Sequence, residues 1–315
     1  MESNNPKVSV VIPTYNRPRL IGRATQSILN QTYQNFEIII IDDSPNDETQ
    51  KAVKGFNDKR IVYIHNRKQT SPHYAKNQGI KAASPESKYI AFLDDDDEFL
   101  SQFLEKTIAK LEKDKELVAV TTLGESRLHN GEVISRGEPF PKEFWRCHIG
   151  NGWVVKKEIF FKENLWFDEM VRSEDLDLGI RVAKKYKVEV LSEILRVNYP
   201  YPVKKGESHS TRFISGTPSG RIEYFYKKNL QIYKEAGKKA EGWLHYFIGM
   251  EYCRAGDFQK ARSYFKKGLL IYPNLKYFIY YLLTFTFPNI FLNLNLLVLK
   301  HRIFRKWLKI TPRLK

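Results

Sequence analysis

From residue 7 to residue 122 the chain switches repeatedly between two hydrophobic periods. Lys7–Ile12, Phe36–Ile41, Arg60–Ile64, Tyr89–Leu93 and Leu117–Thr122 are short runs rich in β-branched and aromatic residues, the composition of buried strands. Between them, Leu20–Leu29, Asp47–Phe56, Tyr74–Ala83 and Phe103–Lys113 repeat their apolar positions at helical spacing. Strands that alternate with helices form βαβ units, so the pattern predicts an α/β fold with a mostly parallel sheet flanked by helices. Gly150–Val155 then reads as a glycine-rich bend running into a strand, Phe167-Asp-Glu169 follows, and Glu174-Asp175 opens a helix. Beyond residue 220 the pattern is helical. Glu241–Asn274 fits one tetratricopeptide-like repeat, with Ile248, Gly249, Tyr252, Gly256, Ala261, Phe265 and Pro273 at the hairpin positions. A single repeat leaves its apolar face open, so it is expected to pack on the α/β part or on a neighbouring helix. The predicted organisation is an α/β domain over 1–220, a helical segment over 221–275 and an apolar, basic tail over 276–315.

In an α/β sheet, ligands bind outside the carboxyl ends of the strands. Two predicted strands end there in acids, one in Asp42-Asp43-Ser44 and one in Asp94-Asp-Asp-Asp97. Four adjacent carboxylates repel one another, so positive charge is expected to share their space, and a divalent cation supplies it. Side chains alternate along an extended segment, which points Asp94 and Asp96 one way and Asp95 the other. Such an Asp-x-Asp pair offers the hard oxygens by which Mg²⁺ or Mn²⁺ is held together with substrate phosphates. Neither Gly-x-Gly-x-x-Gly nor a phosphate-binding Gly-x(4)-Gly-Lys-Ser/Thr follows the first strand; Pro13-Thr-Tyr-Asn16 stands there instead. An aromatic and an aspartate at the ends of the first two strands suit a nucleoside better than a bare pyrophosphate.

Charge narrows the choice of partner. The net charge of +16 suggests an anionic partner, but residues 221–315 hold 19 Lys and Arg against 5 Asp and Glu, leaving the α/β part close to neutral. A non-enzymatic nucleic-acid-binding protein would interleave basic and aromatic residues on a known module, and none of those signatures is present. Cys147 and Cys253 lie far apart and form no metal-ligand spacing, which fits a reducing compartment. Met1–Lys7 has no apolar core, so no secretory signal is read and a cytoplasmic location is expected.

Val10-Val-Ile-Pro-Thr-Tyr-Asn-Arg17, Asp42-Asp43-Ser44, Ala75-Lys-Asn-Gln-Gly-Ile80, Phe92-Leu-Asp-Asp-Asp-Asp97 and Ser173-Glu-Asp-Leu-Asp-Leu-Gly-Ile-Arg181 occur in this order. Together they resemble the successive motifs of the family 2 inverting glycosyltransferases with the GT-A fold, over roughly residues 7–212. The resemblance implies a nucleotide-diphosphate sugar as donor, with a UDP-sugar favoured, Mn²⁺ or Mg²⁺ as cofactor, and a glycan or lipid-linked acceptor hydroxyl. It implies that Pro13 and Tyr15 frame the nucleoside, that Asp42 contacts the base, that Asp94 and Asp95 contact ribose and phosphate, and that Asp96 ligates the metal. Lys76 stands where the family often has Arg, bringing charge toward the diphosphate without a bidentate fork. Asp175 is by resemblance the general base, with Glu174 beside it, and His209, in the turn-rich loop Tyr199–Arg212, is the candidate second metal ligand. A sugar-nucleotide pyrophosphorylase is the alternative enzyme, but it would open with a glycine-rich, Arg-containing loop where Pro13-Thr-Tyr-Asn16 stands.

The end of the chain suggests where the enzyme works. Tyr277–Leu299 carries no charge, yet Pro288 divides it and Asn289, Asn293 and Asn295 interrupt its apolar character. Lys300–Lys315 then holds 7 Lys and Arg with no acid. Attachment to the cytoplasmic face of an anionic membrane, without crossing it, is the expectation.

Overall fold

A computed structural model of the chain describes residues 7–128, 130–137, 143–171, 173–199 and 218–286. It divides into two compact units, Met1–Gly216 and Thr217–Lys315.

The first unit opens with β1 (Val8–Thr14), α1 (Pro18–Leu29), β2 (Phe36–Asp42), α2 (Glu48–Lys54), β3 (Ile61–His65), α3 (Pro72–Ala82) and β4 (Tyr89–Phe92). Strands β3, β2, β1 and β4 lie side by side and run parallel, as the alternation of periods predicts. Thr14 is level with Asp42 and Val11 with Phe92, so the polar segments that follow β1, β2 and β4 emerge at one edge. After β5 (Glu98–Phe99) and α4 (Phe103–Lys113), the other half of the sheet is built from β6 (Leu117–Arg127), β7 (Val133–Arg136), β8 (Trp153–Lys156) and β9 (Lys187–Asn198). Here β8 runs antiparallel to both β4 and β6, β9 is parallel to β6, and β5 and β7 add antiparallel edges. The sheet is therefore parallel in its first half and mixed in its second.

Alternation along the strands fills two cores. Val8, Val10 and Ile12 of β1 face Ile21, Ala24 and Ile28 of α1 and the apolar side of α4. Val11 of β1, Ile39 and Ile41 of β2 and Phe92 of β4 face the opposite layer. That layer holds α3, α5 (Glu158–Lys162) and α6 (Glu174–Lys185), through residues such as Ile80, Phe160 and Leu178. Gly79 of α3 lets the helix lie against β1: a Cβ there would come within 2.3 Å of Val11 Cγ1. This close approach fixes the height of α3 over the sheet, and with it the positions of His73 and Lys76.

The second unit contains α7 (Pro218–Glu235), α8 (Lys238–Arg254), α9 (Phe258–Ile271) and α10 (Leu275–Thr286). α8 and α9 form a hairpin turned at Gly256, whose φ of 80° is one that glycine adopts without steric cost. Gly249 makes room for the Phe265 ring, and the Tyr252 and Tyr264 hydroxyls both donate to Glu223 of α7, at 2.7 and 2.9 Å. α7 packs on α8 and α10 on α9, so neighbouring helices cover the hairpin. Residues 200–217 and 287–315, with His209 and most of the apolar and basic tail, lie outside the described residues.

Candidate active site

The loops after β1 and β4 and the starts of α3 and α6 enclose a cleft of about 210 Å³. Pro13, Lys76, Asp94, Asp95 and Asp96 line it, with Glu174 and Asp175 opposite. Seven of the residues expected at the site are thus brought together from four separated stretches of sequence. Tyr15 and Asp42 are not among the lining residues. Tyr15 and Asp42 are both buried. The Asp42 carboxylate is wholly inaccessible; one oxygen accepts the Ser44 N–H at 2.8 Å and the Ser44 hydroxyl, and the other accepts the Tyr63 hydroxyl. With both oxygens engaged in this way, Asp42 holds the loop that follows β2. Ser44 in turn accepts the Asn16 N–H at 2.8 Å, and Asn16 takes a φ of 53°, a conformation Asn tolerates better than most residues.

The four aspartates diverge in their partners. Asp95 accepts from the Thr14 hydroxyl at 2.7 Å and from Arg17 Nη1 at 2.6 Å, and the same Arg17 nitrogen lies 3.0 Å from Asp96 Oδ2. Asp97 turns inward, accepting the Tyr199 N–H at 3.0 Å, Asn198 Nδ2 at 2.6 Å and Asn151 Nδ2. Burial raises the Asp94 carboxyl well above the usual range, with Asp96 and Asp97 adding to the rise and Lys76 opposing it. Burial likewise lifts Asp95 to about 6 against the pull of Arg17, and Asp97 to about 7 with a contribution from Asp96. Asp94, Asp96 and Asp97 each bring a carboxylate oxygen to within 4.8 Å of the others. Hard oxygens crowded in this way are a donor set that fits a small divalent cation.

Across the cleft, α6 begins with Glu174 and Asp175, and α3 with Pro72 after a Ser71 cap whose hydroxyl accepts the Tyr74 N–H at 3.1 Å. Lys76 was expected to reach a diphosphate. Its ammonium instead donates to Asp175 Oδ1 at 2.7 Å and lies 3.6 Å from Glu174 Oε1. Burial alone would lower the Lys76 pKa, but the Asp175, Glu174 and Asp94 carboxylates raise it, so the ammonium stays charged. Glu174 also stands 3.3 Å from His73 Nε2. Its pKa is lowered because Lys76 and His73 outweigh burial, whereas burial keeps that of Asp175 raised in spite of Lys76. Asp175 is thus a carboxylate whose basicity burial increases, with the Lys76 cation set against it.

The glycine-rich bend joins the two sides. A Cβ on Gly150 would lie 2.2 Å from Asp175 Cγ, and one on Gly152, at φ 77°, would lie 2.7 Å from Arg196 Cδ. Between them Asn151 accepts the Asp94 N–H at 3.0 Å and donates to Asp97. Sequence reasoning assigned no role to Asn151, Arg17, His73, Asn198 or Arg196. Arg17 lay within a recognised run, but a loop cation gives no sign of which acid it will meet. Asn198 and Arg196 sit on β9, a strand whose alternation is too irregular to read. Asp177 is buried in a pair with Arg181 at 2.8 Å and serves α6 itself.

The sequence model of glycosyl transferase family 2 matches residues 9–163. The chain is 31% identical over 262 residues to the putative colanic acid biosynthesis glycosyl transferase WcaA of Escherichia coli (strain K12), covering 78% of this chain and 89% of that protein. It is 42% identical over 191 residues to the GalNAc(5)-diNAcBac-PP-undecaprenol beta-1,3-glucosyltransferase of Campylobacter jejuni, covering 57% of this chain and 60% of that one. The fold is shared with the mannosyltransferase PcManGT from Pyrobaculum calidifontis in complex with GDP-Man and Mn²⁺, at a TM-score of 0.56 and 16% identity, over 96% of this chain and 83% of that one. Because the likeness to the Escherichia coli protein runs through nearly all of its length, and the family's pattern spans the strands whose ends build the cleft, the chain belongs to glycosyl transferase family 2 and is a glycosyltransferase.

Proposed function

We propose that this enzyme moves a sugar, with inversion, from a nucleotide-diphosphate sugar to a hydroxyl of a lipid-linked glycan, and that Asp175 is the general base. The observation that carries the reading is the Lys76–Asp175 pair at the mouth of the aspartate cleft. An acceptor hydroxyl attacking the anomeric carbon must lose its proton, and a carboxylate of raised basicity lining the cleft is suited to receive it. The acceptor oxygen bonds to the anomeric carbon as the bond to the diphosphate oxygen breaks, the proton passes to Asp175, and the nucleoside diphosphate departs. Attack from the face opposite the leaving group inverts the configuration. Glu174, itself beside His73, lies 3.6 Å from Lys76 and so helps to position the base. Asp94 and Asp96 would hold Mn²⁺ or Mg²⁺, which supplies charge stabilisation to a leaving diphosphate when bound; Asp97, engaged by two amides and a backbone N–H, would orient them. Arg17 is placed to follow charge from the aspartates to a phosphate.

The donor and acceptor classes draw on relatives. The Campylobacter jejuni protein is named for transfer onto an undecaprenol-diphosphate-linked glycan, and the Pyrobaculum calidifontis structure holds a nucleotide sugar with Mn²⁺. A thermal-shift screen of UDP-, GDP- and dTDP-sugars with and without Mn²⁺ identifies the donor, since a ligand bound only by the native state raises its melting temperature. Proton NMR of the product formed on an undecaprenol-diphosphate glycan then reads the anomeric configuration. Retention of configuration, or no Mn²⁺-dependent shift with any donor, refutes the proposal.

A further inference from the structure

The α9–α10 pair presents an apolar surface where a soluble helical pair ordinarily presents a polar one. α10 has a single charged residue, Lys276, among its 12. One side of it is seated: Tyr277 is buried and stacks on Tyr246 of α8 at 4.8 Å, and Thr284 is buried. On the outer side Leu275, Phe278, Leu282 and Phe285 are 62, 46, 45 and 56% exposed. Their spacing of three, four and three residues aligns them in one stripe. Leu270, near the end of α9, is 76% exposed. Isolated exposed apolar residues are ordinary, but an aligned stripe of large ones marks a surface that something covers.

The charges carried by these two helices identify the occupant. Lys260, Arg262, Lys266, Lys267 and Lys276 are the only charged residues from Phe258 to Thr286, and none is acidic. Arg262 reaches α10, donating to the Thr284 carbonyl at 3.1 Å and standing over the Phe285 ring, while the Lys276 ammonium stands over the Tyr246 and Tyr280 rings and that of Lys267 over the Tyr264 ring. The sequence from 287 to 315 continues in the same sense, with 7 more Lys and Arg and no acid. A second copy of this face would set cation against cation. We propose that the α9–α10 face docks on an anionic lipid surface, the stripe entering the headgroup boundary while the lysines meet lipid phosphates. Among the described residues no helix is long and apolar enough to cross a membrane. The inference goes beyond the transfer reaction and does not depend on it.

The test uses the full chain and sucrose-loaded vesicles of phosphatidylcholine alone or with phosphatidylglycerol. The protein is expected to sediment with the phosphatidylglycerol vesicles at low salt and to be largely released at high salt. Replacing Phe278 and Phe285 together by Ser should weaken binding about tenfold or more. Replacing Lys266, Lys267 and Lys276 by Gln should weaken it roughly fivefold per lysine. Circular dichroism of both variants should match that of the parent, and so should the Mn²⁺-dependent nucleotide-sugar thermal shift, which separates docking from donor chemistry. Docking is overturned if the parent ignores phosphatidylglycerol vesicles or if the double Ser variant binds them equally well. It is also overturned if sedimentation equilibrium reveals a dimer that the Ser variant abolishes, because a second copy then covers the face.

Discussion

Replacing Lys76 by Met removes the cation around which the cleft is balanced while keeping most of the side chain's volume. Lys76 is 4% exposed and lies 2.7 Å from Asp175 and 3.6 Å from Glu174. Removing one partner of a buried pair costs about 3–5 kcal/mol, because the opposing charge is left unpaired in a poorly solvated place. Asp175 is 32% exposed and water relieves part of that, so the lower end, about 3 kcal/mol, is expected. For a unit of this size that is a fall of roughly 6–12 °C in melting temperature. The sign of the pH dependence follows from the shifts. Lys76 is raised, so its contribution is complete below its unfolded pKa and is lost only as pH rises through its folded one, far into alkali. Glu174 is lowered, so its contribution is present above its unfolded pKa and is lost as pH falls through its folded one. The deficit of the variant should therefore be full at neutral pH and shrink in acid. Differential scanning calorimetry from pH 4 to 8 measures it. A second variant, Lys76→Met with Glu174→Gln and Asp175→Asn, removes all three charges and should recover most of the stability without recovering transfer. The ammonium also lies 5.1 Å from the centre of the Phe167 ring. If the triple variant is as unstable as Lys76→Met alone, the loss came from packing there, and the electrostatic argument fails.

Asp175→Asn should keep donor binding and slow transfer by roughly 10²- to 10⁴-fold, the usual contribution of a positioned base, measured as single-turnover rate; an unchanged rate moves the base to another residue, Glu174 first. Asp96→Ala should abolish Mn²⁺-dependent nucleotide-sugar binding in titration calorimetry with little loss of fold, since Arg17 retains Asp95. Gly150→Ala forces a methyl against the Asp175 carboxylate and should lower kcat by about 10²-fold, the scale of a 1 Å misplacement, with the melting temperature nearly kept. In chelator-treated protein, the raised pKa of Asp97 adds stability that is full below its unfolded pKa and lost as pH climbs through about 7. Its melting temperature should fall from pH 5 to 8, and Asp97→Asn should flatten that slope.

Local pattern alone determined the parallel half of the sheet. Val8–Thr14, Phe36–Asp42 and Tyr89–Phe92 are mostly apolar runs because both faces of these strands are covered, and such runs are legible without partners. The same runs located the aspartates, since the residues that follow parallel strands share an edge by topology. β9 was illegible: Lys187–Asn198 is mostly half-exposed, and its pairing with β6 shifts register three times, so no clean alternation survives. Which acid meets which cation could be decided only in three dimensions. Lys76 and Asp175 are 99 residues apart, and their pairing depends on how Gly79 seats α3 against Val11 and how Gly150 admits the carboxylate. The burial of Asp42 beneath Tyr63 depends likewise on β2 and β3 lying in register, Asp42 level with His65. Residue type states what chemistry is available, whereas charge pairing and desolvation depend on distances of a few ångströms that only the packed chain establishes.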